Sequence, residues 1–183
     1  MPAPARIAPL QPGEDGYELA TVGMERDGTP LNIFTTLARD PKLMAKVNGL
    51  GGYLLWKSPL PERQREIVIL RTAWRTGSVY EFGQHRVIGG RAGLAAAEVD
   101  ALAEGKPGQQ WTAEERALIA LTDELCTTDS VSDETWTAVM AGRDDSQRME
   151  LIFLVGFYRM LAGFLNAAGV ALEADVSGWP VTR

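Results

Sequence analysis

Helical patterning that runs almost without interruption from Leu31 to Ala168 is the feature that most constrains how this chain folds. Apolar residues recur there at the three- and four-residue intervals of one helix face, and no stretch shows the sustained apolar/polar alternation of a half-buried strand. The spacing therefore predicts an all-α fold of about eight helices. The predicted helices cover approximately residues 31–38, 42–56, 61–76, 78–92, 96–104, 112–127, 132–141 and 145–168.

Local signals mark where several of these helices begin and end. Thr112-Ala-Glu-Glu115 is the sequence of a capping box, and Pro61 is suited to a first helical turn. Gly77 and Gly93 are suited to helix C-termini. The first 30 residues contain five of the ten prolines and predict an extended N-terminal arm, so residues 31–183 are expected to form a single helical domain.

Composition excludes several classes of protein. A formal charge of −6 argues against a nucleic-acid partner, because phosphate binding needs a basic patch. Cys126 is the only cysteine, so no disulfide forms within the chain. The longest apolar run, Leu151–Tyr158, is far shorter than the ~20 residues of a membrane span, and the first ten residues lack signal-peptide features. We therefore expect a cytoplasmic protein with no membrane partner.

The helix predicted over 61–76 places an acid on its apolar face. Ile69, Leu70 and Ala73 follow Glu66 by three, four and seven residues, so Glu66 lies in the middle of the buried stripe. An ionised carboxylate in that position is costly unless it is paired or hydrogen-bonded.

One face of the next helix is polar, titratable and free of Lys and Arg. Glu81 and His85 are one turn apart on this face and can touch. Because the connection at Gly77 is short, the two helices are expected to fold back as neighbours, with Glu66 facing the same space. The face consists of Ser78, Glu81, His85, Gly89 and Ala92.

Residue pattern alone leaves four interpretations of these groups. Glu81 and His85 could form a solvated surface pair, or the three groups could form a buried structural network. They could also form a working acid/base cluster, since buried titratable groups concentrate at functional sites. A metal site with Glu66, Glu81 and His85 as ligands is the fourth, although this spacing is not diagnostic of a metal.

The same residues resemble the core motif of the carboxymuconolactone decarboxylase family. In the alkylhydroperoxidase D-like branch that motif runs Glu, eleven residues, Cys-x-x-Cys, three residues, His. Here Glu66 precedes Ser78 by twelve residues, Ser78 precedes Glu81 by three, and Glu81 precedes His85 by four. Every interval matches, with Ser78 and Glu81 at the positions of the two cysteines. The decarboxylase branch carries Glu-x-x-x-His, as Glu81 and His85 do.

This resemblance implies an alkylhydroperoxidase D-like helical bundle, a homo-oligomer (dimer, trimer or hexamer) with sites near its interfaces, and no cofactor or metal. It does not carry over the thiol chemistry, because serine and glutamate cannot cycle through a disulfide. Cys126 is interpreted as a small core residue without a redox role.

The chemistry that remains is proton transfer by His85, Glu81 and Glu66. His85 is the only histidine and is the natural proton carrier near neutral pH; either glutamate could orient it while the other acts as an acid. We expect decarboxylation, isomerisation or hydration of a small lactone or keto acid, with Ser78, Tyr80 and Gln84 as candidate substrate-binding residues. The alternative is a non-redox small-molecule binding or accessory protein, and a thiol peroxidase is the least supported function.

Two further apolar patterns bear on packing. Met44, Tyr53 and Trp56 stand at helical spacing and are interpreted mainly as core residues. The helix over 145–168 has apolar residues on more sides than one contact requires, which predicts either a central helix or a helix in a subunit interface.

Overall fold

The computed structural model describes residues 5–23, 25–104 and 110–179, and the described part of the chain confirms the predicted all-α fold. All eight predicted helices are present, with ends that differ from the prediction by at most one residue. Their bounds are α1 Asn32–Leu37, α2 Pro41–Trp56, α3 Glu62–Thr76, α4 Val79–Arg91, α5 Ala96–Glu104, α6 Ala113–Thr128, α7 Asp133–Met140 and α8 Asp145–Ala168.

Helix caps explain most of these ends. Thr112 and Glu115 form both halves of the capping box at the start of α6. Gly77 ends α3 with a left-handed φ of 69°, which a residue with a Cβ rarely adopts. Pro61 lies just before α3 rather than inside its first turn, so the helix starts one residue later than predicted.

The segment predicted as an extended arm contains short regular elements. A 3-10 helix covers Tyr17–Val22, and β1, Glu25–Arg26, pairs antiparallel with β2, Thr29–Pro30. Both residues of the connecting turn, Asp27 and Gly28, have positive φ, as a tight hairpin turn of type I′ requires. Buried residues such as Leu10 pack this segment against α1, so it lies on the helical domain.

Helix α3 is the centre of the molecule. It packs against α4, α5, α6 and α8, and every residue from Arg65 to Ala73 is buried. A helix surrounded on all sides is normally apolar throughout, so the charged and polar residues on α3 need partners from neighbouring helices. The predicted burial of Glu66 is confirmed, since none of its surface is exposed.

Helix α8 is the one helix in the described part of the chain that is long and apolar enough, by length and composition, to cross a membrane. The core helix of a soluble protein satisfies the same criterion. Leu151, Leu154 and Leu165 on one side of α8 are buried in the protein core, whereas Phe153 on another side is 61% exposed. Its apolar character therefore serves internal packing on one side only.

Candidate active site

Glu66 and His85 form a buried pair between α3 and α4. A hydrogen bond of 2.7 Å joins Nδ1 of His85 to Oε2 of Glu66. Nε of Arg65 lies 3.7 Å from the other carboxyl oxygen of Glu66 and places positive charge beside it. Among the described residues, Nε2 of His85 has no hydrogen-bond partner. Glu66 is therefore the carboxylate that contacts the imidazole.

Glu81 occupies the same helix as His85 but makes no hydrogen bond or ion pair with it in the described structure. Only 3% of Glu81 is exposed, and neither carboxyl oxygen has a hydrogen-bond partner among the described residues. Burial raises the pKa of Glu81 well above its ordinary value of 4.5, and the nearby Ser78 hydroxyl opposes that rise. Glu81 is accordingly a neutral carboxylic acid over a wider pH range than an ordinary glutamate.

Tyr158 is a member of this cluster that sequence reasoning missed. Its ring meets the His85 ring edge-on, with centroids 5.1 Å apart. Burial raises the pKa of the Tyr158 phenol well above 10, and the negative charges of Glu66 and Glu81 add to this effect. The only signal in the sequence was a hydroxyl-bearing residue at the end of an otherwise apolar run.

A cavity of about 300 Å³ opens beside these side chains. This volume lies at the lower end of the range for small-molecule sites, and a mostly apolar wall with a few polar groups is typical of them. The polar edge is formed mainly by α4, with His85 and Glu81, and by Tyr158 of α8. The apolar walls come from the N-terminal segment, α1, α2 and α8 and include Leu31, Ile33, Phe34, Leu55, Phe157 and Leu161.

Tyr80 and Gln84 also border the cavity, but their polar groups are held by the chain itself. The Tyr80 hydroxyl donates to Oε1 of Glu173 at 2.8 Å and accepts from the Ile33 amide at 3.1 Å. The Gln84 amide donates to Oε2 of Glu173. The Asn32 amide donates to Oε1 of Glu173 at 2.8 Å. These bonds tie the start of α1 to α4 through Glu173. The substrate contacts proposed from sequence for Tyr80 and Gln84 stay a prediction.

Ser78 lies outside the cavity wall as far as the described residues define it. It is fully buried, and its hydroxyl oxygen accepts from the Glu81 amide as the N-cap of α4. A cap is a structural task that serine performs well and cysteine performs poorly. Its predicted contact with substrate would require a rearrangement of this cap and also stays a prediction.

Cys126 lies on α6, partly buried against the apolar cluster around α3 and α8. Burial raises the pKa of its thiol, which disfavours the reactive thiolate. Within the described ranges, no three His, Cys, Asp or Glu side chains are grouped so that they could hold a metal ion.

The class of fold is shown by similarity to solved structures. An uncharacterized peroxidase-related protein from Silicibacter sp. TM1040 superposes with a TM-score of 0.79 at 15% identity, over 98% of each chain. A protein from Ralstonia eutropha JMP134 described as an alkylhydroperoxidase AhpD core superposes with a TM-score of 0.74 at 18% identity, over 81% of this chain and 80% of that one. The fold is therefore that of the AhpD-like helical proteins.

A third similar structure is a debrominase variant in complex with 2,3,4-tribromopyrrole, with a TM-score of 0.76 and 18% identity over 95% of each chain. The model of the carboxymuconolactone decarboxylase family matches residues 41–123, which include Glu66, Glu81 and His85. This match agrees with the resemblance that the motif of Glu66, Ser78, Glu81 and His85 predicted. No curated protein shows significant similarity to the chain.

Proposed function

We propose that this protein is a cofactor-independent acid/base enzyme that decarboxylates, isomerises or hydrates a small lactone or keto acid. The observation that carries the proposal is the buried Glu66–His85 pair, bonded at 2.7 Å, at the edge of a cavity of about 300 Å³. A histidine oriented through one ring nitrogen by a carboxylate, with the other nitrogen available, is the usual arrangement of a general base.

Each group has a distinct task in this proposal. Nε2 of His85 takes a proton from the substrate or from an attacking water, and Glu66 stabilises the imidazolium that forms. The neutral carboxyl of Glu81 donates a hydrogen bond to the substrate oxygen on which negative charge develops. His85 then returns its proton to a different atom of the substrate, so no other reagent is consumed in an isomerisation.

The test is the substitution His85→Gln, assayed by proton NMR as deuterium uptake from D2O into a panel of unsaturated five-membered lactones and 2-keto acids. We expect turnover to fall by roughly 100-fold or more, since general acid/base catalysis is typically worth 10²–10⁴. Arg91→Gln, an exposed change on the same helix, is the matched control and should leave turnover unchanged. Equal turnover by the His85→Gln variant and the wild-type protein would refute the proposal.

The second candidate is a non-redox small-molecule binding protein. The largely apolar cavity wall and the internal bonds of Tyr80 and Gln84 favour this candidate over a thiol peroxidase. If the wild-type protein binds members of the panel but does not exchange their hydrogens, this second candidate is the correct function. We propose the cytoplasm as its location for either function, because a chain with one partly buried cysteine needs no oxidising compartment.

A further inference from the structure

We propose that the cavity selects an uncharged, flat ring compound with one polar edge, and that it rejects carboxylates of the same shape. This inference rests on the proposed function of the same cavity and narrows its substrates to neutral lactones and ketones. It excludes the keto-acid substrates that the sequence also allowed and, with them, decarboxylation, so that isomerisation or hydration of a neutral ring remains.

Charge is the first reason. Among the described residues that line the cavity there is no Lys or Arg. Arg65 contacts Glu66 but is not part of the wall. A carboxylate that entered would lose its hydration without gaining a fixed cation, and it would lie beside the buried carboxyl of Glu81. Moving an unpaired anion into such a site is strongly unfavourable.

The unpartnered carboxyl of Glu81 is the second reason. Buried polar atoms almost always find a hydrogen-bond partner, and both oxygens of this buried side chain lack one in the described structure. A neutral carboxyl offers one donor and at least one acceptor. It therefore complements a neutral carbonyl, amide or hydroxyl edge of a ligand, and Nε2 of His85 is available close by on the same helix.

The walls supply the third reason. The aromatic side chains of Phe34, Trp56, Phe157 and Tyr158 line the cavity together with aliphatic residues. Aromatic walls favour flat apolar ligands through stacked or edge-on contacts. A volume of about 300 Å³ suits a single ring with short substituents.

The experiment compares three ligands of one shape by isothermal titration calorimetry at neutral pH. Benzamide is neutral, benzoate is an anion and benzamidine is a cation, yet all three carry one planar group on the same ring. We expect benzamide to bind the wild-type protein at least about tenfold more tightly than either ion. Tighter or equal binding of benzoate or benzamidine would overturn the inference, and so would failure of all three to bind at about 10 mM.

Substitutions of Glu81 test whether its carboxyl group is the polar group of the cavity that binds the ligand. Glu81→Gln keeps a neutral donor and acceptor and should retain benzamide affinity within about threefold, whereas Glu81→Ala should weaken it about tenfold. Glu134→Gln, an exposed change on α7, is the control and should match the wild-type protein. Equal benzamide affinity of Glu81→Ala and wild-type protein, both folded by circular dichroism, would remove Glu81 from the site.

These experiments distinguish a wrong ligand class from a wrong proposed function. His85→Gln should lose hydrogen exchange but keep its preference for benzamide over benzoate. Loss of the preference in wild-type protein contradicts the ligand class alone. Persistence of exchange in His85→Gln contradicts the proposed function alone.

Discussion

Glu81 is a buried acid in the wall of the cavity. Its carboxyl group has no hydrogen-bond partner among the described residues, and burial raises its pKa. In the folded protein Glu81 holds its proton at pH values where the unfolded chain has already released it. The unfolded state therefore binds fewer protons than the native state, and the free energy of unfolding falls as pH rises above 4.5.

The first prediction follows from that sign. Glu81→Gln removes the titrating group and keeps the shape, so the stability of the variant should fall less than that of the wild-type protein between pH 5 and pH 8. We expect the stability difference between the variant and the wild-type protein to shift in favour of the variant as pH rises, because only the wild-type fold must hold a proton that the unfolded chain releases. Urea unfolding at both pH values measures this. A parallel pH dependence of the two proteins would show that Glu81 is solvated.

The second prediction concerns Cys126. Its thiol is partly buried in an apolar cluster, and its pKa is raised by that burial. Cys126→Ser should therefore lower the free energy of unfolding by about 1 kcal/mol and leave ligand binding unchanged. The wild-type protein should show no dithiol-dependent reduction of peroxides. Peroxidase activity that disappears in Cys126→Ser would give this residue a redox role after all.

At the scale of elements, the carboxylate of Glu173 ties the start of α1 to α4. Glu173 accepts hydrogen bonds from the Asn32 amide at the start of α1 and from Tyr80 and Gln84 on α4. Because α1 is only six residues long, its own hydrogen bonds contribute little to its stability. The carboxylate therefore fixes one wall of the cavity.

The third prediction is that Glu173→Ala loosens this wall. We expect a loss of about 1–3 kcal/mol in stability, because three donors lose their acceptor. Amide hydrogen exchange across Asn32–Leu37 should speed up more than exchange across α3. Glu104→Ala, an exposed change at the end of α5, is the control and should leave exchange in α1 unaltered. Uniform acceleration of exchange across the whole chain would point to global destabilisation instead.

The helices and the meeting of α3 with α4 were predictable, and the remainder of the site was not. Apolar spacing and caps are local signals, and the short turn at Gly77 makes Glu66 and His85 neighbours whatever the rest of the chain does. Tyr158 reaches the site only because α8 packs across α3, and Glu173 depends on bonds to residues about ninety positions away. Such long-range packing leaves no periodic trace in the sequence.

At the scale of the whole molecule, α2 is a helix with little to pack against. Of its sixteen residues only Met44 and Leu54 are buried. Tyr53 and Trp56, predicted mainly as core residues, are 42% and 65% exposed, because α2 touches the domain along a narrow line. We call the exposed apolar face of α2 and α8 the α2/α8 patch. Its members are Leu43, Leu50, Tyr53, Trp56, Met149, Ile152, Phe153 and Met160.

We propose that a second copy of this chain covers the α2/α8 patch. Single exposed apolar residues are ordinary, but eight large ones on two helices that contact each other indicate a binding surface. The patch continues into the cavity, since Trp56 contributes to both, which agrees with the site near an interface implied by the family motif. A membrane is a weaker partner for α8, because its opposite side is built into the protein core.

The last prediction tests this surface. In dilute solution, light scattering should give the wild-type protein a mass that is a multiple of the 19.9 kDa of one chain. The double variant Trp56→Glu and Phe153→Glu should have a mass close to that of the monomer. The reason is that a buried charge without a partner opposes association. Trp136→Glu places the same charge at a 41% exposed tryptophan on α7 and should keep the wild-type mass. A monomeric wild-type protein would contradict the second copy. Sedimentation of that monomer with lipid vesicles, lost in the double variant, would assign the patch to a membrane surface instead.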